Sequence, residues 1–217
     1  MSIPLLVVPT LSRRDLLFEM FGTIDYPVEH LLVIDNGAQD LGEMYVPNVS
    51  YVTVADLRSN LGVAASWNLG IKVGYRHDWT MHVSDDVRFP PGALERFVEL
   101  SAPDRIVLSG TWPYWCAFTI GAEVVAEVGI FDENYYPAYY EDTDYLERLD
   151  AAKITPTEGP QVEHRNSSTL ATPERDYAER NRYSFEANLR YFESKVPYER
   201  GGGPRFDLFR WRAQTWD

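Results

Sequence analysis

Cysteine is almost absent from this chain. Cys116 is the one thiol in 217 residues, so no internal disulfide and no thiolate zinc cage can form, and any metal must be held by oxygen and nitrogen ligands. Basic residues are scarce as well: 20 Lys and Arg against 33 Asp and Glu leave a net charge of −13 at pH 7. A surface that acidic repels phosphate backbones and anionic headgroups over most of its area, which argues against nucleic acid as a partner. Long apolar runs are missing too. Stretches such as Ile3 to Pro9 fall far short of a bilayer crossing, so no transmembrane segment is expected, and no basic segment precedes them as in a signal peptide. A soluble, cytoplasmic protein in a reducing compartment is the expectation.

What is present is an ordinary globular composition, 45% hydrophobic, arranged first as a β/α alternation. Leu5-Leu6-Val7-Val8 is a β-rich apolar run ended by Pro9, and Leu16, Leu17, Met20 and Phe21 then recur at helical spacing behind Asp15. Leu31 to Ile34 repeats the strand pattern and stops at Asp35-Asn36-Gly37, Tyr51 to Val54 gives a third strand, and Ala64 to Val73 a second helix. These three strands read as apolar on both faces, the pattern of central parallel strands covered by helices on each side. A fourth, Thr80 to Val83, ends at Ser84-Asp85-Asp86, and Pro91 opens a helix with Leu94, Phe97 and Val98 on its apolar face. From Ile106 the texture changes to strands without long helices between them, which predicts antiparallel additions to the sheet. Ala122 to Val128 and Asp142 to Ala152 read as helices, and Thr172-Pro173-Glu174 as the cap of a helix running to about Ser194. Without an internal repeat or a dividing linker, the expectation is one domain with a C-terminal helical extension.

In an open parallel sheet ligands bind beyond the carboxyl ends of the strands, so acids at strand ends are the informative ones. Asp35-Asn36-Gly37 reads either as a ligand-facing acid or as a plain turn requiring positive φ at Gly37. Asp85-Asp86 is an adjacent pair whose mutual repulsion suits a hard divalent cation, although acids also cap helices. Glu141-Asp142-Thr143-Asp144 follows the aromatic run Tyr135-Tyr136-Pro137-Ala138-Tyr139-Tyr140. That is either a helix N-terminus dressed to suit its dipole, or a sugar site in which rings face a pyranose while a carboxylate takes a hydroxyl proton. His164 is either a structural histidine or a ligand. Trp112 and Trp115 either shape a sugar or acceptor site or belong to the core.

Taken in order, these segments resemble the inverting family 2 glycosyltransferases of the GT-A fold, specifically the rhamnosyltransferase-like branch. The likeness runs from Ile3 to about His164. Val8-Pro9-Thr10-Leu11-Ser12-Arg13 resembles the first-strand signature, with Leu11 where an aromatic is usual. Val33-Ile34-Asp35-Asn36-Gly37 resembles the second, and Asn60-Leu61-Gly62 with Asn68-Leu69-Gly70 resembles the segment that helps form the nucleotide pocket. Val83-Ser84-Asp85-Asp86 falls at the Asp-x-Asp motif, Ser84 replacing the first acid. Gly129 to Glu133 followed by Tyr140 to Asp144 and Arg148 is the most specific match.

The resemblance implies a Rossmann-like nucleotide-diphospho-sugar transferase of α/β class: a mostly parallel sheet flanked by helices over residues 1–170, with a nucleotide-binding half to about 105 and an acceptor half from about 106. Residues 171–217 would be a helix and tail packed on the same domain. It implies metal-dependent inverting transfer of a hexosyl or deoxyhexosyl group from a nucleotide-diphosphate sugar to a glycan, lipid-linked or protein hydroxyl. Asp142 is then the catalytic base, and Mn2+ or Mg2+ is held by Asp86 and His164. Pro9, Thr10, Asp35, Asn60, Gly62, Asn68 and Asp85 would bind the nucleotide sugar, and Trp112, Trp115, Tyr140 and Glu141 the acceptor, with Asp142 buried among Tyr136, Tyr139 and Tyr140. Two rivals stay open: a sugar nucleotidyltransferase, opposed by the lack of a glycine-rich loop with a following basic residue, and a non-catalytic nucleotide-sugar or glycan-binding protein, kept alive by Leu11 and Ser84. The tail residues Arg205, Phe206, Phe209, Arg210, Trp211 and Arg212 either dock an anionic partner, join a second copy in a homo-oligomer, or pack on the body.

Overall fold

Residues 1–165 and 175–195 are described by the computed structural model, with side chains of the last helix from residue 182. The first half runs β1 (Ile3–Thr10), α1 (Arg14–Phe21), β2 (Val28–Asp35), β3 (Val49–Asp56), α2 (Val63–Val73), β4 (Trp79–Val83), β5 (Val87–Arg88) and α3 (Ala93–Leu100). The second runs β6 (Ile106–Leu108), β7 (Ala117–Gly121), α4 (Ala122–Val128), α5 (Glu141–Ala151), β8 (Thr157–Glu158), β9 (Glu163–His164) and α6 (Arg175–Lys195). Seven strands form one sheet in the order β3-β2-β1-β4-β7-β6-β8, and β5 pairs with β9 in a separate two-stranded ladder. β7 runs antiparallel to both its neighbours, and the other pairings in the large sheet are parallel.

Alternation along the strands makes the layers. Leu6, Val8, Leu31, Val33 and Met81 join Leu17 and Met20 of α1 and Leu94 and Phe97 of α3 in one buried cluster. The intervening residues, Leu5, Val7, Leu32 and Ile34, turn the other way and meet Leu69 of α2. That face continues into an aromatic cluster of Trp67, Trp115, Phe118, Phe131 and Tyr145 beneath α4 and α5. Burying a sheet on both faces is what continuous apolar strands require. β3 departs from this. It is an edge strand whose side chains are half-buried or exposed, because no strand lies beyond it, and so it is not the two-faced apolar strand expected. The helix expected from Pro91 starts at Ala93, since Gly92 ahead of it adopts φ +80°. The Thr172 cap and the basic, aromatic tail lie outside the described residues.

α6 is fastened to the body by charge. Lys195 is buried and its ammonium contacts Asp132 Oδ2 and, at 2.6 Å, Asp144 Oδ1. Asp144 also takes Arg148 Nε at 3.0 Å and the Tyr135 hydroxyl at 3.2 Å, while Tyr191 of α6 donates to Asp132 at 2.9 Å. Burial opposes ionisation of Asp132, but the Lys195 ammonium and the Asn134 donors outweigh it and hold the carboxyl below its usual range. Asn188 of α6 donates to the carbonyls of Ala138 and Tyr139 at 2.8 and 3.2 Å. Removing one member of a buried charge set leaves the others uncompensated, so Lys195→Met is expected to cost about 3–5 kcal/mol of unfolding free energy, read by urea denaturation.

Candidate active site

Strand order reverses between β1 and β4, the position at which an open α/β sheet leaves a crevice beyond its carboxyl ends. A cleft of about 630 Å3 lies there. It is lined from β1 by Pro9, Thr10 and Leu11, from the end of β4 by Ser84, Asp85 and Asp86, and from the turn into α5 by Tyr139 to Thr143. Of the expected site residues, Pro9, Thr10, Asn60, Gly62, Asp85, Asp86, Trp112, Trp115, Tyr140, Glu141, Asp142 and His164 share this lining, whereas Asp35 and Asn68 are outside it.

The β5–β9 ladder places Val87 opposite His164, and Arg165 N donates to Asp86 O at 3.2 Å. His164 Nε2 consequently lies 3.0 Å from Asp86 Oδ1, while its buried Nδ1 has no hydrogen-bond partner. Burial pushes Asp85 up to about 7; Asp86 beside it adds to the rise, and Thr10 Oγ1, Leu11 N–H and Arg13 work against it. These side chains offer two carboxylates and an imidazole, a donor set that fits a hard or borderline divalent ion. Among the described residues no three His, Cys, Asp or Glu side chains form a closed metal cage.

Asp35 and Asn68, expected on the nucleotide side, hold local structure beside the cleft. Asp35 is buried and accepts from Gly37 N, Gln39 N and Gln39 Nε2 at 2.9, 2.7 and 3.0 Å, so its carboxylate braces its own loop. Gly37 does not need positive φ; a Cβ there would lie 3.0 Å from Ser12 N, so close approach requires the glycine. Asn68 is fully buried and clamps α2 to the loop after α4, donating to Phe131 O and Glu133 Oε1 and accepting from Phe131 N at 2.8–2.9 Å. Asn36, inside the second motif but not among the expected site residues, does reach the cleft. It donates to Ser66 Oγ at 3.0 Å and accepts from Leu61 N at 2.9 Å. Its place directly after a strand-end acid was the available signal. Gly62 has φ +82°, and a Cβ there would come within 2.9 Å of Pro137 O, the atom that accepts from Val63 N. The 60–62 loop is thus seated on the 136–137 segment, and Tyr136 donates to Asn60 O at 3.2 Å. Tyr136 therefore faces that loop and is not part of the cleft lining expected around Asp142.

On the acceptor side the acids have separated. Asp144 is consumed in the Lys195 and Arg148 network. Asp142 accepts from Thr143 N at 2.7 Å, and burial raises its carboxyl above the usual range. Glu141 is buried more deeply, its Oε2 lacks a hydrogen-bond partner, and burial, with Asp142 alongside, lifts it to about 8. Tyr139 and Tyr140 both adopt positive φ, 83° and 73°, and turn the chain so that α5 begins with Glu141 and Asp142 at the cleft. Trp115 is mostly core, stacking on Trp67 and meeting Phe118 and Phe131 edge-on, whereas Trp112 is 67% exposed at the mouth. Phe185 of α6 completes the wall beside Tyr139 and Tyr140. It was missed because its helix follows the last motif. Among the described lining residues there are four carboxyls and no Lys or Arg.

The comparisons with known proteins agree with this architecture. The chain matches a galactofuranosyl glycosyltransferase of Leishmania donovani at 22% identity, over 99% of this chain and 67% of that protein. No protein-family model matches it. Among solved structures it superposes on residues 1–349 of S. aureus TarS with a TM-score of 0.55 at 15% identity, covering 74% of this chain and 58% of that one. A mutant of Drosophila β1,4-galactosyltransferase 7, in complex with manganese, UDP-Gal and xylobiose, gives 0.54 at 13% identity over 78% of this chain and 73% of that one. An inositol-1-phosphate CTP transferase of T. maritima gives 0.50 at 12% identity over 80% and 94%. The fold is the GT-A arrangement of a mostly parallel sheet with helices on both faces. No helix among the described residues is long and apolar enough to cross a membrane.

The buried acids make stability depend on pH in a direction that can be worked out. Glu141 ionises near 8 when folded against 4.5 ordinarily, so between these values the native state holds a proton that the unfolded chain has released, and stability falls as pH rises. Glu141→Gln, neutral throughout, should narrow the drop in melting temperature between pH 5 and pH 8, with its largest gain at pH 8. An unchanged pH profile would show that Glu141 ionises normally.

Proposed function

We propose that the protein is a glycosyltransferase that moves a sugar from a nucleotide-diphosphate donor to a hydroxyl acceptor by a metal-dependent inverting displacement, in the manner of the rhamnosyltransferase-like branch of family 2. The observation that carries the reading is the meeting of Asp86 and His164 in a cleft whose other side presents Glu141 and Asp142. The curated relative's name, galactofuranosyl glycosyltransferase, and the manganese and UDP-Gal held by the Drosophila neighbour support it.

Charge supports the metal requirement. A diphosphate entering a cleft whose described lining has acidic side chains and no Lys or Arg finds no positive partner there unless a cation comes with it. Asp86 and His164 would hold a manganese or magnesium ion, with Asp85 adjacent, and when bound the ion supplies charge that stabilises the departing diphosphate. Thr10 and Leu11 steady Asp85 through its hydrogen bonds. The backbone and side chains around Asn36, Asn60 and Gly62 would receive the nucleoside, while Pro9 and Thr10 shape the floor beneath it.

The acceptor hydroxyl must surrender a proton as it attacks the anomeric carbon from the face opposite the leaving group, and one carboxylate suffices for a single displacement. Asp142 is the group suited to that task. Glu141 is protonated near neutral pH and cannot accept, and Asp144 is committed to Lys195 and Arg148. Burial raises the Asp142 carboxyl above its ordinary range and so makes it more basic than an exposed carboxylate. A nucleotidyltransferase reading shares the fold, as the T. maritima neighbour illustrates, but the cleft lacks described cationic side chains for a triphosphate.

Two measurements test this reading. A thermal-shift panel of nucleoside diphosphates with and without manganese should raise the melting temperature only when both are present, and Asp86→Ala or His164→Ala should abolish the shift while leaving the fold intact. A shift with nucleotide alone would remove the metal from the mechanism. In transfer assays with the nucleotide sugar so identified, Asp142→Asn should bind donor normally and lose about 10²–10⁴-fold in rate. Asp144→Asn should instead lose stability. Wild-type turnover by the Asp142→Asn protein would leave the inverting mechanism without its base.

A further inference from the structure

The mouth of the cleft has a chemistry of its own. Trp112 is 67% and Phe185 42% exposed, large rings open to solvent in a lining that otherwise turns its aromatics inward. Phe185 meets Tyr140 at 5.2 Å and Tyr139 at 5.4 Å between ring centroids, and Phe192 stacks on Tyr140 at 5.6 Å. Asn188 ties the carbonyls of Ala138 and Tyr139 to α6, so these rings are held in place by the helix and not by the strained turn alone. Beside them lies Glu141, 5% exposed, with one oxygen lacking a partner. A buried polar atom left unpaired costs free energy that a hydroxyl ligand would recover.

We propose that this mouth is an acceptor subsite for an uncharged glycan: a sugar ring lays its apolar face against Phe185 or Trp112, and Glu141 hydrogen-bonds one of its hydroxyls. The proposal deepens the transfer reading, and rests on it for the bound sugar's role as acceptor. Ring faces offer an apolar surface with a partial negative charge that suits the C–H groups of a pyranose or furanose. The described lining supplies no cationic partner for phosphate, sulfate or uronate groups. As a neutral acid Glu141 is able to donate as well as accept, which matches a hydroxyl, itself both donor and acceptor.

The test uses the full chain on an array of immobilised glycans grouped as uncharged, carboxylated and phosphorylated, with manganese and, in turn, the diphosphates of uridine, guanosine, cytidine and thymidine. Retention is expected on uncharged glycans. Phe185→Leu keeps apolar volume but removes the ring, and should weaken retention about five- to tenfold, the scale of one lost aromatic contact. Phe185→Tyr should restore it, and Trp112→Ala should weaken it comparably, with the melting temperature of each variant and its manganese–nucleotide shift unchanged. Retention confined to anionic glycans, no retention by the wild type, or full retention by Phe185→Leu would each overturn the proposal. A nucleotide shift without glycan retention sinks the subsite and spares the transfer reading; glycan retention without any nucleotide shift does the reverse.

Discussion

Asp144 is the point at which α5, α6 and the aromatic loop ahead of α5 are held together. Its carboxylate accepts from Arg148 one turn further along α5, from Lys195 at the end of α6 and from Tyr135 in the aromatic loop. Because a buried charge must be compensated where it stands, this cluster dictates where three separate segments meet. Arg148 reaches on to the carbonyls of Val128 and Ile130, and Lys195 to Asp132, so the loop that clamps Asn68 belongs to the same assembly. With Asp144 pinned inward, the helical rotation of about 100° per residue leaves Asp142 about 160° away, toward the cleft, and Glu141 about 60° away, closer to the interior.

The division of labour among four acids follows from environment more than from position. Asp85 and Asp86 lie at the end of β4, where strand termination brings both to the crevice. Glu141 and Asp142 lie at the start of a helix reached through two tyrosines in left-handed conformation. Burial raises three of the four, to different extents and with different neighbours.

Much of the architecture is legible in the sequence because it rests on local rules. Apolar runs ended by Pro9, Asp35 and Ser84 mark strands, helical spacing marks α1 to α3, and the loss of long helices after Ile106 marks the antiparallel insertion of β7. What could not be read depends on tertiary neighbours. Whether Tyr51 to Val54 is central or peripheral is a matter of what pairs beyond it. Asp35 and Asn68 sit in motif positions, yet they bond to Gln39 and Phe131 and stand outside the cleft lining, a fact of loop closure that spacing does not carry. His164 became interpretable through a two-residue ladder with Val87, too short to leave a pattern. Phe185 has no motif at all.

The seat of Gly62 on Pro137 has a thermodynamic consequence. Val63 N–H and Tyr136 join the loop that borders the nucleotide end to the segment that leads into Tyr139 and Tyr140. Any displacement of one is therefore a displacement of the other. Two ligands held at the two ends of the cleft would be linked through this seam, and linkage is reciprocal: whatever factor the first applies to the affinity of the second, the second applies to the first.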